Sequence, residues 1–392
     1  MAAHDIRPNA LDSPLATLRQ ALGRLRGNGI GVTTSAPHVR AATSVDRVLL
    51  ELIVASVPAL VIGAAAAGAA LIGAVGAIGA IDVDTLPDDA STYVRLLELA
   101  KLELGQIPLV TQALVGLALF LPVLATAAAV SLLWAWLFAV VRRRSIDAGW
   151  LVTAWLFALL MPPTVPLYLV AIGTSFGVVL GQHVFGGTGH YLVSPALLGA
   201  VSVQVAYPSA LGGPADLAAA FTSTWDLLAA SDAGAPSSWL QAFIGREVGT
   251  FGAPSALACY AGAAYLCYRR VASVRIVVGA LAAAAVCAAL VGTLSDPGLT
   301  SLPWYGHLAV GNLAFVVAFI ATDPTTSPTT RAGRWVFGAL VGSGIVLVRL
   351  ADPAHPESSL VVSMLCMLTI PLIDHVTVRY HIRRRMRRGR QT

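Results

Sequence analysis

The sequence has too little charge to cover the surface of a water-soluble protein. Only 11% of its 392 residues are charged, whereas 57% are hydrophobic. Soluble domains carry roughly 25% charged residues, so this composition excludes the roughly two or three soluble domains that the length would otherwise suggest. Because one membrane-spanning helix needs about 20 apolar residues, the sequence predicts an all-α polytopic membrane protein.

Lysine is almost missing, and the positions of the arginines are more informative than their number. Lys101 is the one lysine among 25 basic residues. The arginines stand at the edges of apolar runs, at Arg40 and Arg47, Arg142–Arg144, Arg269–Arg275, Arg331 and Arg334, and Arg379–Arg390. Cytoplasmic anchors of membrane proteins show this pattern. No groove-reading motif accompanies the net charge of +5, so we predict no nucleic-acid partner.

The sequence also lacks the residue patterns of disulfide frameworks, metal sites and dinucleotide sites. Its four cysteines lie inside apolar runs without a CxxC pair, and its histidines are scattered without an HxxH pair. We therefore predict buried thiols, no disulfide or iron–sulfur cluster and no metal site. No glycine-rich dinucleotide turn follows a strand pattern, so NADH is not expected to bind this chain.

The apolar runs, counted against the arginine clusters, predict about ten crossings of the bilayer. Two long runs cover about 48–81 and 107–141, and three passes fit between 150 and 207 around the breaks at Met161–Pro166 and Gly186–Gly189. Five further runs follow, at about 253–268, 276–293, 307–322, 335–348 and 360–378. One crossing fewer or more would break the alternation that keeps every arginine cluster on one side.

This count divides the chain into three parts. Residues 1–46 form a cytoplasmic N-terminal segment, 47–378 a ten-helix membrane domain, and 379–392 a basic cytoplasmic tail. The acidic stretch 82–106 and the Gly/Pro-rich stretch 208–250 become its external loops. Both termini are therefore expected on the cytoplasmic side of a bacterial inner membrane.

Five blocks of sequence, in order along the chain, carry a resemblance to a known family. They are Ser35–Arg40; Gly173–Gly189 with Ser194–Leu197 and Ala206–Pro208; Ala321–Pro324 with Gly333–Trp335; Asp352–Glu357; and Pro371–His375. These blocks resemble the B subunit of the sodium-pumping NADH:quinone oxidoreductase (Nqr) and, more distantly, the D subunit of the related Rnf complex. The similarity covers roughly residues 35 to 388.

The resemblance implies a fold, cofactors and partners. The family's subunit has ten helices in two inverted five-helix repeats, and we expect broken or re-entrant segments here. It carries FMN joined to a threonine by a phosphoester bond, holds riboflavin and helps form a quinone site. Electrons enter from a neighbouring flavoprotein subunit and leave to quinone, coupled to Na⁺ transport. The chain is thus expected to act within an Nqr- or Rnf-type complex, not alone.

Three places in the membrane domain are candidate sites. The turn Gly186, Gly187, Thr188 and Gly189 is either a flavin contact, because glycine lets backbone approach a ring closely, or a tight re-entrant turn. Asp323 ends an apolar run beside four hydroxyl residues, and its alternatives are a cation path or flavin pocket and a turn before Pro324. Asp374 is a second ion-path candidate, with a salt bridge to Arg349 or a tail arginine as the alternative.

The flavin-attachment segment departs from the family pattern. The family places Ser-Gly-Ala-Thr after an aromatic residue in the external loop, and the corresponding stretch here runs from Phe221 to Leu227. Anchoring on those two residues puts Trp225 where the flavinylated threonine belongs, and tryptophan offers no hydroxyl. A one-residue slip offers Thr224, and Thr222 is a further option. The alternative is an ordinary polar loop without flavin.

Other departures lie where cofactor and quinone chemistry is expected. The family's Arg-Asn after the glycine turn is His190-Tyr191 here, and its Asn-Pro is Ser194-Pro195. Near the quinone site, Gly-Gly is Ser131-Leu132, and a glutamate is Ala135. A second function therefore stays open: a divergent, flavin-free paralog that serves as a membrane scaffold or solute channel, since fold does not determine function.

Overall fold

A computed structural model shows a bundle of apolar helices. It describes residues 45–78, 108–142, 146, 148–211, 236–245, 249–294, 303–351 and 358–389. Within these ranges the regular structure is all helical, which confirms the predicted class. Five of the described helices are long and apolar enough to cross a membrane.

The helix boundaries follow the predicted apolar runs closely. In chain order the helices are α1 Val45–Ile78, α2 Leu109–Arg142, α3 Gly149–Leu160, α4 Leu167–Phe176, α5 Pro195–Ala206, α6 Pro236–Ile244, α7 Ala256–Tyr268, α8 Val274–Leu294, α9 Arg331–Ala351, α10 Ser358–Leu368 and α11 Ile370–Gly389. The described residues also contain one-turn helices at Pro208–Leu211, Gly306–Ala309 and Leu313–Phe315 and π-helical segments at Gly177–His183 and Val316–Ile320.

Local sequence explains where α3 and α4 are separated. Met161 ends α3 in an extended conformation, because the residue before a proline is driven away from helical dihedrals. Pro166 stands at the N-cap of α4, where a missing backbone N–H leaves no helical hydrogen bond unmade. The predicted break at Met161–Pro166 is therefore confirmed.

Two helix pairs are packed through backbone contacts at small residues. A Cβ added to Gly116 of α2 would overlap the carbonyl oxygen of Ala64 on α1, and one added to Gly68 would overlap that of Gln112. Between α8 and α9, a Cβ on Gly342 would likewise overlap the carbonyl oxygen of Ala280. Small residues at such contacts let helix backbones approach closely, as they do in membrane bundles.

Large apolar side chains point outward from the bundle. On α2, Leu114, Leu121 and Leu133 are 60%, 53% and 57% exposed. On α8, Val286 and Leu290 are similarly exposed. A water-soluble protein rarely leaves such continuous apolar faces uncovered, so this surface fits lipid or a partner helix.

One predicted feature differs in the structure. The run at 307–322 was predicted to be a single span, but it is broken: Val310 is extended and Gly311 has a φ of +69°. The predicted basic tail is helical where the structure describes it, because α11 runs on to Gly389. Of the two predicted external loops, the stretch 208–250 contains α6 in its second half. Residues 82–106 lie outside the described ranges.

Candidate functional site

The glycine turn has the backbone conformation that its sequence predicts. Gly186, Gly187 and Gly189 have φ angles of +119°, +101° and +93°, a region that side chains with a Cβ rarely adopt. The turn closes through Gly187 N, which donates to Gln182 O at 2.9 Å. Gln182 also donates through Nε2 to Thr188 Oγ1 at 3.2 Å, so the turn is tied to the π-helical segment before it.

A small cavity brings the neighbourhood of this turn together with Asp323. Its lining comes from α1, α3, the loop before α5 and the turn after the second π-helical segment: Leu49, Gly149, Val152, Thr153, Leu156, Tyr191, Ser194, Pro195, Ala196 and Asp323. The cavity volume is ≈ 10 Å³, about the space that one water molecule requires. The loop that follows the glycine turn and the turn at Asp323, which are far apart in the chain, thus approach each other.

Asp323 is buried at the wall of this cavity, with 4% of its surface exposed. Its Oδ1 accepts from Thr325 N at 2.9 Å and from Thr325 Oγ1 at 2.7 Å. Its carbonyl accepts from Ser327 N at 2.9 Å, so the predicted turn before Pro324 is confirmed. A carboxylate buried at membrane depth is unfavourable and usually serves a function.

Asp374, the second ion-path candidate, does not lie on this cavity. Its Oδ2 accepts from Thr329 N at 2.9 Å and Thr329 Oγ1 at 2.8 Å. Its Oδ1 accepts from Thr330 N at 3.3 Å and Thr330 Oγ1 at 2.7 Å. The predicted salt bridge with Arg349 is therefore wrong, because the two threonines before α9 already surround the carboxylate.

Replacement of Asp374 by asparagine is expected to loosen the junction between α11 and the start of α9. The amide can accept through one oxygen only, and its NH₂ would face groups that donate. Hydrogen bonds to charged groups contribute about 1.5–3 kcal/mol each, so we expect a clearly lower melting temperature in detergent. Thr126→Val is the control, since the exposed Thr126 hydroxyl bonds within its own helix. An unchanged melting temperature for D374N would contradict this role.

The residues that replace the family's quinone-site positions are packed, not open. Ser131 is fully buried, and its Oγ donates to Trp150 O at 2.9 Å. Ala135 packs in a small cluster with Ala139, Ile146 and Trp150. An open groove lies one turn away, where Trp134 Nε1 donates to Ser175 Oγ at 3.0 Å.

Sequence reasoning missed that opening, which we call the Trp134 groove. Its volume is ≈ 480 Å³, and its lining is almost wholly apolar: Trp134, Ala171, Ile172, Ser175, Phe176, Val179 and Leu180. Small-molecule sites commonly occupy about 300–1,000 Å³. Trp134 was visible in the sequence, but the groove depends on its pairing with α4, which no local pattern reveals.

Sequence reasoning also missed that an arginine next to the broken segment is buried. Arg349 is 1% exposed, and its Nη1 donates to His307 O at 2.9 Å. Tyr260 Oη donates to Leu308 O at 2.7 Å, so two side chains hold carbonyls of the one-turn helix Gly306–Ala309. Arg349 also lies close to Gly311, where a Cβ would crowd the guanidinium, so both the space and the positive φ at the break favour glycine.

The flavin-attachment candidates Thr222 and Thr224 lie outside the described residues. The described end of their loop, α6, carries aromatic side chains that pack against the broken segment. The rings of Trp239 and Tyr305 are 5.4 Å apart, and those of Trp304 and Tyr305 are 5.8 Å apart. This cluster therefore joins the end of the loop to the bundle.

A sequence profile of the NQR2, RnfD, RnfE family matches residues 32–383. The chain belongs to this family. Among its relatives, the B subunit of the Na(+)-translocating NADH-quinone reductase of Pseudomonas paraeruginosa is 41% identical over 285 residues, which are 70% of each chain. The proteins of the same name from Azotobacter vinelandii and Yersinia pestis are 40% and 38% identical, over 70% and 71% of each chain.

Family membership confirms the resemblance predicted from the five sequence blocks. Together with the five long apolar helices, it shows a multi-pass membrane protein of the kind that serves as a subunit of a larger complex. The glycine turn and Asp323 fall within the matched region, as do Asp374 and the Trp134 groove.

Proposed function

We propose that the chain is the B-type membrane subunit of a sodium-translocating NADH:quinone reductase, in which it relays electrons through flavin to quinone. The observation that carries the proposal is the similarity to B subunits of such reductases, at 38–41% identity over about 70% of each chain. Partner subunits would supply NADH oxidation. Ten crossings, in two inverted five-helix repeats with both termini in the cytoplasm of a bacterial cell, form part of the proposal.

The described helices support this topology. Five long apolar helices, four shorter ones and the broken segment at 306–320 are candidates for the ten crossings. The π-helical segments Gly177–His183 and Val316–Ile320 lie in the fourth and eighth of these. Irregular backbone at membrane depth is tolerated only where protein or a cavity covers it. All of Val316–Ile320 is buried, and Gly177–His183 has one buried side and one side on the Trp134 groove.

The quinone is proposed to bind at the Trp134 groove. The groove opens on an apolar outer face, which gives a lipid-soluble ring and tail access from the bilayer. The Trp134–Ser175 hydrogen bond places two polar groups on an otherwise apolar wall, the combination that fixes a ligand's orientation in most small-molecule sites.

FMN is proposed to be held by the loop 208–250 through Thr224, with Thr222 as the second candidate. When bound, FMN supplies one-electron and two-electron transfer. Trp239 and Tyr305 would pack beside the loop, where their rings can cover an apolar flavin edge. The chain's own task is then to hold the cofactor on the outer side and keep it close to the bundle.

Asp323 and Asp374 are proposed to form part of the ion path. Asp323 supports this through its burial and through its place in the lining of a cavity about the size of one water molecule. Carboxylates inside membrane domains usually serve ion or proton movement, since their burial is unfavourable. The support from Asp374 is weaker, because both of its carboxylate oxygens already accept hydrogen bonds from Thr329 and Thr330.

The proposal is tested by purifying the complex through a tag on this chain and measuring quinone reduction by NADH at varied Na⁺. We expect co-purifying subunits and Na⁺-stimulated activity. In Asp323→Asn the half-saturating Na⁺ concentration should rise about tenfold or more, because a charged interaction of about 1.5–3 kcal/mol is lost and 1.4 kcal/mol corresponds to about tenfold.

Glu51→Gln is the matched control for this measurement. It also removes a carboxylate from the bundle, but Glu51 pairs with Arg269 at 2.6 Å and is not on the cavity. We expect its Na⁺ dependence to match the wild type. A chain that purifies without any NADH-oxidising subunit would contradict the proposal and favour the flavin-free scaffold or channel.

A further inference from the structure

Arg349 places a positive charge inside the bundle, close to the end of α9. The residue is 1% exposed, and a guanidinium stays protonated in proteins. Three carboxylates have side chains that the structure describes, and each is bonded elsewhere: Glu51 to Arg269, Asp323 to Thr325, and Asp374 to Thr329 and Thr330. A buried charge without a partner is strongly unfavourable, so an anion is expected beside this arginine.

Two nitrogens of the Arg349 guanidinium are buried and have no hydrogen-bond partner in the described part of the chain. They are Nε and Nη2, whereas Nη1 donates to His307 O at 2.9 Å. Nε and Nη2 share one edge of the guanidinium, where their N–H bonds run parallel. A carboxylate or a similar oxyanion binds such an edge through both of its oxygens. The two unused donors are therefore a matched pair.

Gly311 lies over the flat face of this guanidinium. A Cβ added to Gly311 would be 2.9 Å from Nη2, 3.5 Å from Cζ and 3.9 Å from Nε. Because the guanidinium is planar, these three distances place that position above the plane and not in line with the parallel N–H bonds. Gly311 thus covers the face of the cation but does not occupy the edge formed by Nε and Nη2.

A purely structural role explains only part of this arrangement. The bond from Arg349 to His307 O helps to hold the one-turn helix Gly306–Ala309. Tyr260 Oη bonds to Leu308 O in the same helix and does so without a charge. Holding a carbonyl therefore requires only one neutral donor. An ionisable side chain inside a membrane domain is unfavourable and usually has a function, so the charge and the second edge of Arg349 indicate a ligand.

We propose that Nε and Nη2 of Arg349 bind a small planar oxyanion, either a carboxylate such as acetate or bicarbonate, which has the same shape. Each of two oxygens accepts one N–H, and the charge of the anion neutralises the guanidinium. The bound anion fixes Arg349 and, through His307 O, the one-turn helix, so that binding stabilises the broken segment. This site goes beyond the proposed redox function, because it involves neither flavin nor quinone.

The test measures the thermal stability of the full chain in detergent, purified with whichever subunits accompany it. The protein is dialysed into sodium chloride, and chloride is then replaced stepwise by acetate at constant Na⁺ and pH. The readout is the fraction of this chain that stays soluble after heating, detected through its tag. We expect acetate to raise the melting temperature by about 3 °C or more, because a ligand that binds only the folded state stabilises it.

Variants of Arg349 locate the effect. Arg349→Gln should respond to acetate no more than to chloride, because it lacks both the charge and the parallel donors. Arg349→Lys keeps the charge without the edge, and its half-saturating acetate concentration should rise about tenfold. Arg142→Gln is the matched control: Arg142 also donates to a backbone carbonyl, His183 O at 2.7 Å, but it is exposed. It should keep the wild-type response.

Two results would overturn the proposal. One is an acetate response that persists in Arg349→Gln, or in Arg349→Lys with the wild-type midpoint if the glutamine variant does not fold. The other is a wild type that does not respond. Asp352 and Glu357 follow α9 and lie outside the described residues. If acetate has no effect and Asp352→Asn or Glu357→Gln lowers the melting temperature as much as Arg349→Gln, a carboxylate of the chain itself occupies the edge.

Discussion

Flavin fluorescence of the denatured chain in a gel is expected to disappear completely in Thr224→Ala. A phosphoester bond requires a hydroxyl oxygen, and Trp225, which stands at the aligned position, has none. Thr224 offers the nearest hydroxyl after a shift of one residue. Because the bond is covalent, it survives denaturation, and the band reports attachment directly, independent of folding or activity.

Thr222→Ala is the matched control, since it removes the same hydroxyl two residues away in the same loop. Its band should keep the wild-type intensity. A band lost in Thr222→Ala and kept in Thr224→Ala would assign the attachment to Thr222. The absence of a band from the wild type would refute covalent FMN and favour the flavin-free paralog.

A single added methyl group at Gly116 is expected to have the largest effect on folding. In Gly116→Ala the new Cβ would overlap the carbonyl oxygen of Ala64 and lie 2.8 Å from its Cα. Both are backbone atoms, so no side chain can turn away and the two helices must separate. Overpacked cores lose about 1–3 kcal/mol and occasionally more, and we expect a loss at the upper end, measured as the melting temperature and the yield of monodisperse protein in detergent.

Gly292→Ala makes the same change in α8, where nothing lies within 4 Å of the added Cβ. Alanine favours a helix over glycine by about 1 kcal/mol, so this control should be neutral or slightly more stable. Equal melting temperatures for the two variants would show that α1 and α2 are not packed as described. A fall confined to Gly116→Ala would support the backbone contact.

Much of the fold follows from the sequence because membrane helices are defined by length and hydropathy. The predicted runs at 107–141 and 276–293 match α2 and α8 to within a few residues. Prolines located the break between α3 and α4, and glycines located the turn after the first π-helical segment. These are local signals: each depends on what a residue's own backbone can adopt.

The contacts of the charged residues could not be predicted in this way. Asp374 was expected to pair with an arginine, yet the threonines that bind it lie 44 and 45 residues earlier in the chain. The cavity at Asp323 likewise depends on how the loop before α5 meets a distant turn. Such pairings are set by the packing of whole helices, which no single sequence pattern encodes.

The break at Gly311 was missed for a related reason. The run at 307–322 is apolar enough for a span, and one glycine in such a run is common in membrane helices. What interrupts the helix is its surroundings: Arg349 and Tyr260, on other helices, bind the carbonyls of His307 and Leu308. A composition-based prediction has no access to those partners.

The glycine contacts within the two tight helix pairs also limit how the protein can move. Helices whose backbones touch, as α1 and α2 do at Gly116 and α8 and α9 do at Gly342, cannot slide along each other without first coming apart. We therefore expect each pair to move as one rigid body and changes of shape to be concentrated in the short and broken helices that connect the pairs. The cavity at Asp323 lies where the two kinds of element meet, because Leu49 of α1 and residues of the short helices α3 and α5 line it together.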